Sequence, residues 1–98
     1  MLEKTYSKTG KTCKVKFSLP KDVEAESAYL LGEFNDWNET ATPMKKLKGG
    51  GFTATISLQP GRAYRFRYLL DGIRWENDWE ADRYVINEFG TEDSVVEL

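Results

Sequence analysis

Three tryptophans, Trp37, Trp75 and Trp79, stand among polar residues, where the spacing of apolar residues gives no reason for a large ring. Trp37 lies in a loop rich in Asn, Asp and Thr, Trp75 follows the Asp71-Gly72 turn, and Trp79 is flanked by acidic residues. An exposed indole covers the apolar C–H face of a pyranose ring, while nearby amide, carboxylate and guanidinium groups bond to its hydroxyls. The alternative is that each ring folds back over one end of the core, since large aromatics are mostly buried. Three tryptophans in such surroundings favour sugar stacking.

Stacking of this kind predicts weak binding. Covering ~100 Å² of apolar surface contributes roughly 2–3 kcal/mol before ordering costs. Two such platforms with a few hydrogen bonds give a dissociation constant on the order of micromolar to millimolar. Affinity in this range suits a polymer with many repeats, on which several domains act together.

The elements that must position these rings are β-strands, because apolar and polar residues alternate along much of the chain. Alternation is clearest in Cys13–Leu19, Phe52–Leu58 and Ala63–Leu70, and shorter apolar runs mark the other strands. The shorter runs are Ala28–Leu31, Met44–Leu47, Ile73–Trp75, Val85–Ile86 and Ser94–Leu98. About six to eight short strands, with turn signals roughly every 8–12 residues, are typical of a two-sheet β-sandwich.

We therefore predict an all-β fold, a β-sandwich of two antiparallel sheets. The 98 residues fit one domain, since chains use about 100–200 residues per domain. Residues 12–98 are predicted to form this single domain, and residues 1–11 a loosely ordered N-terminal arm.

Composition excludes several classes of protein. A formal net charge of −2 gives nucleic acid no electrostatic reason to bind, and no apolar run approaches the ~20 residues of a membrane helix. The first residues lack the apolar segment of a signal peptide. The single cysteine, Cys13, forms no internal disulfide and suits a reducing compartment. We expect a cytoplasmic protein with neither a nucleic acid nor a membrane as partner.

Neither catalysis nor metal binding is predicted. The chain has no histidine, so an ordinary catalytic triad is absent, and Cys13 falls on the apolar face of a strand. Asp78, Glu80 and Asp82 are spaced like the first acids of a calcium loop, but Arg83 occupies the sixth position, which requires glycine. We interpret these acids as a solvent-facing row and expect no enzymatic activity, no metal and no cofactor.

Two stretches of sequence, in their order and spacing, carry a resemblance to a known family. The first is LLGEFNDW, which ends at Trp37 and is followed by Pro43-Met44; the second is YRFRYLLDG, which ends at Gly72 and is followed by Gly90-Thr91. From about Val15 to Leu98 the chain resembles the isoamylase N-terminal (early set) domain, also called the family 48 carbohydrate-binding module. Relatives include the N-terminal domains of glycogen branching and debranching enzymes and the glycogen-binding domain of the AMP-activated protein kinase beta subunit.

The resemblance implies an immunoglobulin-like sandwich and a non-catalytic module that binds α-1,4-linked glucan, such as glycogen, starch or a maltooligosaccharide. It implies that Trp37 and Trp75 stack on glucose. The other matched residues are Arg67, where relatives have a lysine, Phe89 and Thr91, in a segment that contacts the glucan, and Asp93, where relatives have an asparagine. Asn35 is expected to hold the Trp37 loop through side-chain-to-backbone bonds.

The match leaves Trp79 without a counterpart, since the stretch from Gly72 to Gly90 is longer than in the kinase relatives. Family members often precede a catalytic barrel, which needs about 250 residues, and we expect no such barrel here. The remaining alternative is a protein-interaction module, because exposed tryptophans also form hot spots in protein interfaces. Such a module would dock on a glucan-metabolising enzyme without binding sugar itself.

Overall fold

The computed structural model describes residues 2–98, which form strands joined by turns and loops, with one 3-10 turn at Glu33–Asn35. The strands are β1 (Leu2–Tyr6), β2 (Cys13–Leu19), β3 (Ala28–Gly32), β4 (Lys45–Lys46), β5 (Phe52–Leu58), β6 (Ala63–Leu70), β7 (Arg74–Glu76), β8 (Arg83–Ile86) and β9 (Glu92–Glu97). The predicted all-β class is confirmed. Across these residues, no helix has the length and apolar character needed to cross a membrane.

The strands form two antiparallel sheets, as predicted. The first sheet has the order β1-β2-β5-β4, and the second has the order β3-β6-β9-β8, with β7 also paired to β6. β6 organises the second sheet, since its C-terminal half pairs with β3 and β7 while its N-terminal half pairs with β9. Segments far apart in the sequence therefore meet around one strand.

Alternation within the strands places a shared core between the two sheets. The inward side chains of β2 and β6, such as Phe17, Phe66 and Tyr68, are fully buried. The ring of Phe66 lies edge-on to both neighbours, with its centroid 5.0 Å from that of Phe17 and 5.7 Å from that of Tyr68. Such contacts add about 0.5–1.5 kcal/mol each beyond the burial of area. Cys13 is buried in this core, on the apolar face of β2.

The prediction that residues 1–11 form a loosely ordered arm is wrong for Leu2–Tyr6. These residues form β1, which pairs antiparallel with β2 along its whole length, and Leu2 packs against the core. The sequence signal is weak because Leu2 is the one aliphatic side chain in the strand, so no apolar alternation marks it. Met1, the first residue of the predicted arm, lies outside the described residues.

The two-residue turn predicted at Asp71-Gly72 is one residue too short, because Leu70 pairs with Arg74 and the loop between β6 and β7 therefore comprises residues 71–73. This register places Trp75 opposite Leu69 and not opposite Tyr68. Asp71 and Gly72 have positive φ, 55° and 71°, as the central residues of a type I′ turn do. The carboxylate of Asp71 accepts hydrogen bonds from the backbone N–H groups of Glu26 and Ser27, and these bonds lower the pKa of Asp71. The turn is thus fastened to the segment that leads into β3, which fixes the register of β7.

Candidate functional site

A groove of about 670 Å³ opens on the outer face of the second sheet, the face turned away from the shared core. It is lined by Glu33, Trp37, Glu39, Arg65, Arg67, Trp75, Asn87, Glu88, Phe89 and Asp93. Five of the seven site residues expected from the sequence are among them. The two that do not line the groove are Asn35 and Thr91.

Outward-facing residues of β6 and its neighbours build the floor of the groove. Arg67 lies opposite Leu31 of β3, and Leu69 lies opposite Trp75 of β7; residues paired across antiparallel strands point to the same face. Leu31 and Leu69 are 0% and 3% exposed, although this face is turned away from the core. The site therefore rests on a second packed apolar layer rather than on a solvated sheet surface.

Arg67 and Trp75 act as a pair on this floor. The guanidinium carbon of Arg67 lies 5.2 Å from the centroid of the Trp75 ring, which is cation–π distance and contributes about 0.5–1 kcal/mol at an exposed site. Trp75 is 42% exposed, so the cation braces part of the ring while the rest faces water. The Nε of Arg67 is buried and finds no acceptor among residues 2–98. A braced aromatic ring and a guanidinium group thus lie side by side.

Trp37 reaches the groove from the 3-10 turn that follows β3. Asp36 and Trp37 both have left-handed backbone, with φ of 55° and 56°, which costs a residue with a Cβ about 1–2 kcal/mol. The backbone N–H of Trp37 donates to the carbonyl of Gly32 at 2.9 Å and closes the turn. Strain of this kind persists only where the surroundings impose it, and it concentrates at functional sites.

Asn35 supplies that constraint from outside the groove. Its Oδ1 accepts from the backbone N–H of Gly32 at 3.0 Å, and its Nδ2 donates to the carbonyl of Leu30 at 2.9 Å and to Thr42 Oγ1 at 3.0 Å. These are the side-chain-to-backbone bonds expected of Asn35. The residue positions Trp37 and does not itself face the groove.

Asn87, which the sequence analysis did not single out, organises the loop between β8 and β9. Its Oδ1 accepts from the backbone N–H groups of Phe89 at 3.0 Å and Thr91 at 3.2 Å. The loop holds Phe89 at the groove with 81% of its surface exposed. The signal that indicates Asn87 is an asparagine heading a short polar loop between strands, where its side chain bonds the backbone ahead of it.

Thr91 and Asp93 are engaged by protein partners. Thr91 Oγ1 lies 2.9 Å from Asn87 Nδ2, so its hydroxyl is used within the loop. Asp93 is 5% exposed, accepts from Asn87 Nδ2 at 3.1 Å, and forms an ion pair with Arg65 Nη1 at 3.8 Å. Both residues hold the wall of the groove in shape.

The groove carries more negative than positive charge, which the sequence analysis missed because these acids follow no pattern that sets them apart. Its carboxylates are those of Glu33, Glu39, Glu88 and Asp93, and its guanidinium groups are those of Arg65 and Arg67. Glu33 Oε1 accepts from the backbone N–H of Arg65 at 2.7 Å. The arrangement suits a ligand rich in hydroxyls, which both donate and accept, and disfavours a polyanion.

Trp79 lies outside the groove and is 52% exposed. The prediction that Asp78, beside it, faces solvent is wrong, because Asp78 is 1% exposed. Its Oδ2 accepts from the hydroxyl of Tyr68 at 2.6 Å, and its backbone N–H donates to Ser94 Oγ at 2.9 Å. Burial and the nearby Asp78 carboxylate raise the pKa of Tyr68 well above its ordinary value. Within the part of the chain that is described, no group of three or more His, Cys, Asp or Glu residues could hold a metal.

Comparison with known proteins places this geometry beside one family. The model of the glycogen recognition site of AMP-activated protein kinase matches residues 9–97. A curated relative, "Protein PTST homolog 2, chloroplastic" from Arabidopsis thaliana, is 30% identical over 74 residues. That alignment covers 74% of this chain and 13% of the relative, so the chain spans a small part of the relative's length.

Proposed function

The chain belongs to the family described as the glycogen recognition site of AMP-activated protein kinase, and we propose from that premise that it is a non-catalytic module binding α-1,4-linked glucan. In this proposal Trp37 and Trp75 each stack on the apolar face of a glucose unit. Phe89 adds an apolar contact at the mouth of the groove, and Arg67 donates to sugar hydroxyls. Glycogen, starch and maltooligosaccharides all present the required surface.

The observation that carries the proposal is the meeting of Trp37 and Trp75 in one groove. The two residues come from opposite sides of β6, one from the turn after β3 and one from β7. Pairing of both strands with β6 brings them to the same face. Indoles that only closed the ends of the core would have no reason to converge on an open, polar-rimmed groove.

Arg67 supports hydroxyl binding more strongly than the other polar residues do. Its guanidinium lines the groove beside the Trp75 ring, so those N–H groups of Arg67 that face the groove can donate to a sugar hydroxyl. Thr91 and Asp93, by contrast, already bond to Asn87. We therefore assign hydroxyl binding first to Arg67 and give Thr91 and Asp93 the role of shaping the wall.

We assign no reaction to the groove. Glycoside hydrolysis needs one carboxyl group as acid and a second as base or nucleophile across the sugar ring. Two of the groove's carboxylates, those of Glu33 and Asp93, are engaged by Arg65 through its backbone N–H and its guanidinium. These contacts suit a structural role better than proton transfer.

The proposal is tested by affinity electrophoresis in gels that contain glycogen, amylose, cellulose or no polysaccharide. We expect glycogen and amylose, but not cellulose, to retard the wild-type protein. Trp37→Ala should abolish the retardation. Because the Trp37 side chain is only partly exposed, we expect the free energy of unfolding to fall by about 1–2 kcal/mol, less than the about 3–5 kcal/mol of a Trp→Ala substitution in a core. The matched control is Tyr6→Ala, which removes a half-exposed aromatic ring from β1 far from the groove and should bind like the wild type.

Three results contradict the proposal. Retardation that survives in both Trp37→Ala and Trp75→Ala would separate glucan binding from the groove. A large loss of stability in Trp37→Ala would assign that ring to the packing of the fold. A wild-type protein that no α-glucan retards would leave docking on a glucan-metabolising enzyme as the function of this face.

We further propose that the module works in a reducing, cytoplasmic compartment. The support is Cys13, a free thiol buried in the core with no second cysteine in the sequence. A fluorescent fusion of the full-length protein that is excluded from the cytoplasm would contradict this location.

A further inference from the structure

A second, smaller cleft of about 310 Å³ lies at the edge of the sandwich, between β7 and the loop that joins β2 to β3. It is lined by Asp22, Val23, Glu24, Arg74, Glu76 and Trp79. These residues and those that line the groove do not overlap. The cleft contains the one tryptophan to which neither the family pattern nor the groove assigns a role.

Trp79 is held at the surface by anchored neighbours. The backbone N–H of Asp78 donates to Ser94 Oγ at 2.9 Å, and the carboxylate of Asp78 accepts from Tyr68 at 2.6 Å and from the backbone N–H of Glu80 at 2.8 Å. The chain on both sides of Trp79 is therefore tied to the buried Asp78. The indole nevertheless leaves 52% of its surface in water. A large ring presented on a fixed backbone is a preorganised platform.

Polar groups surround this platform. Glu76 Oε1 lies 3.4 Å from the indole nitrogen of Trp79, and the guanidinium of Arg74 donates to the backbone carbonyl of Glu24. The carboxylates of Asp22 and Glu24 complete the rim of the cleft. A flat apolar face, carboxylate acceptors and a guanidinium donor together match the C–H face and the hydroxyl rim of a pyranose ring.

We propose that this cleft is a second sugar-binding site, in which Trp79 stacks on one pyranose unit while Arg74 and Glu76 bond to its hydroxyls. The choice of an α-glucan as its ligand rests on the proposed function of the groove. The competing explanation is that Trp79 only covers Val23, which is 8% exposed in the same cleft.

β7 serves the two sites from its opposite faces. Trp75 lines the groove, while its neighbours Arg74 and Glu76 line the cleft, since successive residues of a strand point to opposite faces. Two weak sites on one rigid domain bind a branched polymer more tightly than either does alone, by up to roughly 10²–10⁴-fold. A ligand too short to reach both sites gains nothing from the second one.

Fluorescence separates the two sites because Trp37, Trp75 and Trp79 are the three tryptophans of the chain. The double variant Trp37→Ala/Trp75→Ala keeps Trp79 as the sole reporter of the cleft, and Trp79→Phe keeps two reporters of the groove. Each variant is titrated with maltose and with maltoheptaose after circular dichroism has shown that it is folded. We expect a saturable change in the double variant with a dissociation constant on the order of millimolar. Adding Glu76→Ala should weaken this response at least about threefold.

Binding to a polymer provides the second measurement. We expect Trp79→Ala to leave the affinity for maltoheptaose, measured by calorimetry, within about twofold of the wild type. Its affinity for glycogen should fall at least about tenfold, because the second attachment is lost.

Two outcomes overturn this proposal: no sugar-dependent fluorescence change in the double variant, or glycogen affinity unchanged in Trp79→Ala. If the double variant does not fold, the indole N–H signal of Trp79 in the ¹H–¹⁵N spectrum of the wild type replaces it. A signal that does not shift on addition of maltose then overturns the proposal. Trp79→Phe reports on the groove alone, so failure of the groove to bind is recognised separately.

Discussion

Tyr68 and Asp78 show how two single residues hold the segment that carries Trp79. They are 0% and 1% exposed, so water does not compete for the 2.6 Å bond between the Tyr68 hydroxyl and Asp78 Oδ2. Asp78 follows β7 and Tyr68 lies on the core face of β6, so the bond joins an otherwise irregular segment to the central strand of the second sheet. Together with the bonds of Asn77 to Glu92 and Ser94, it holds the segment between β7 and β8 in place.

Tyr68→Phe should lower the free energy of unfolding by about 1–3 kcal/mol at neutral pH, because it removes a hydrogen bond from a buried carboxyl group. The pKa of Tyr68 is raised in the folded state, so the stabilisation by the neutral hydroxyl is complete below about pH 10 and is lost as the pH rises through the folded value. The stability difference between wild type and Tyr68→Phe should therefore shrink above about pH 10. Urea unfolding at pH 7, 9 and 10.5 measures it, and a difference that stays constant would contradict this account.

The sequence identified functional residues whose type is unusual for their surroundings. It did not identify residues whose role depends on a contact with a partner far away in the chain. Trp37 and Trp75 are large rings in polar stretches, and the groove contains both. Asp78 looks like any acid in an acidic row, and only the contact with Tyr68, ten positions earlier, reveals that it is buried. Asn87 is similar, since its importance comes from the loop that it holds together.

At the scale of elements, the alternation of apolar and polar residues located the strands that have one apolar face and one polar face. The predicted bounds of β2, β5 and β6 agree with the structure, because each strand has a continuous row of apolar residues on one face. β4 is shorter than Met44–Leu47 and consists of Lys45–Lys46. β1 was missed because its contribution to the sheet is mostly backbone pairing, which leaves no trace in side-chain type.

Deleting residues 1–6 tests the importance of β1. We expect the free energy of unfolding to fall by at least about 2 kcal/mol, since the burial of Leu2 is lost together with the ladder to β2. The deletion also makes β2 an edge strand, which favours association with other copies. Urea unfolding and size-exclusion chromatography measure the two effects, and Tyr6→Ala, which keeps the strand, is the control. If the truncated protein is as stable and as monomeric as the wild type, β1 does not stabilise the fold and the prediction fails.

At the scale of the whole molecule, long-range contacts connect the two sheets beyond their shared core. Lys4 Nζ of β1 lies 2.6 Å from Asp82 Oδ2, and the same oxygen accepts from the backbone N–H of Glu97 in β9 at 2.7 Å. One carboxylate thus joins a strand of the first sheet to a strand of the second. This partly exposed contact adds a link between the two sheets to the core that they share.

The net negative charge of the groove predicts how binding responds to salt. A neutral glucan makes no ion pairs, so its affinity should change less than about twofold between ~0.05 M and ~0.5 M NaCl, although the Debye length falls severalfold over that range. Calorimetry with maltoheptaose measures this, and we expect a phosphorylated maltooligosaccharide to bind more weakly than the neutral one at low salt. An affinity for maltoheptaose that collapses with added salt would indicate recognition by charge rather than by stacking.

Because the side chains of β7 alternate between its two faces, the number of residues in the preceding hairpin loop decides which face each of them occupies. Inserting or deleting one residue in the three-residue loop 71–73 would exchange the two faces of the strand, so that Trp75 would leave the groove. Changes of two residues would preserve the orientation of every side chain that follows. Insertions and deletions in this hairpin among related proteins should therefore involve an even number of residues. This limits the length of the loop but not the types of residue in it.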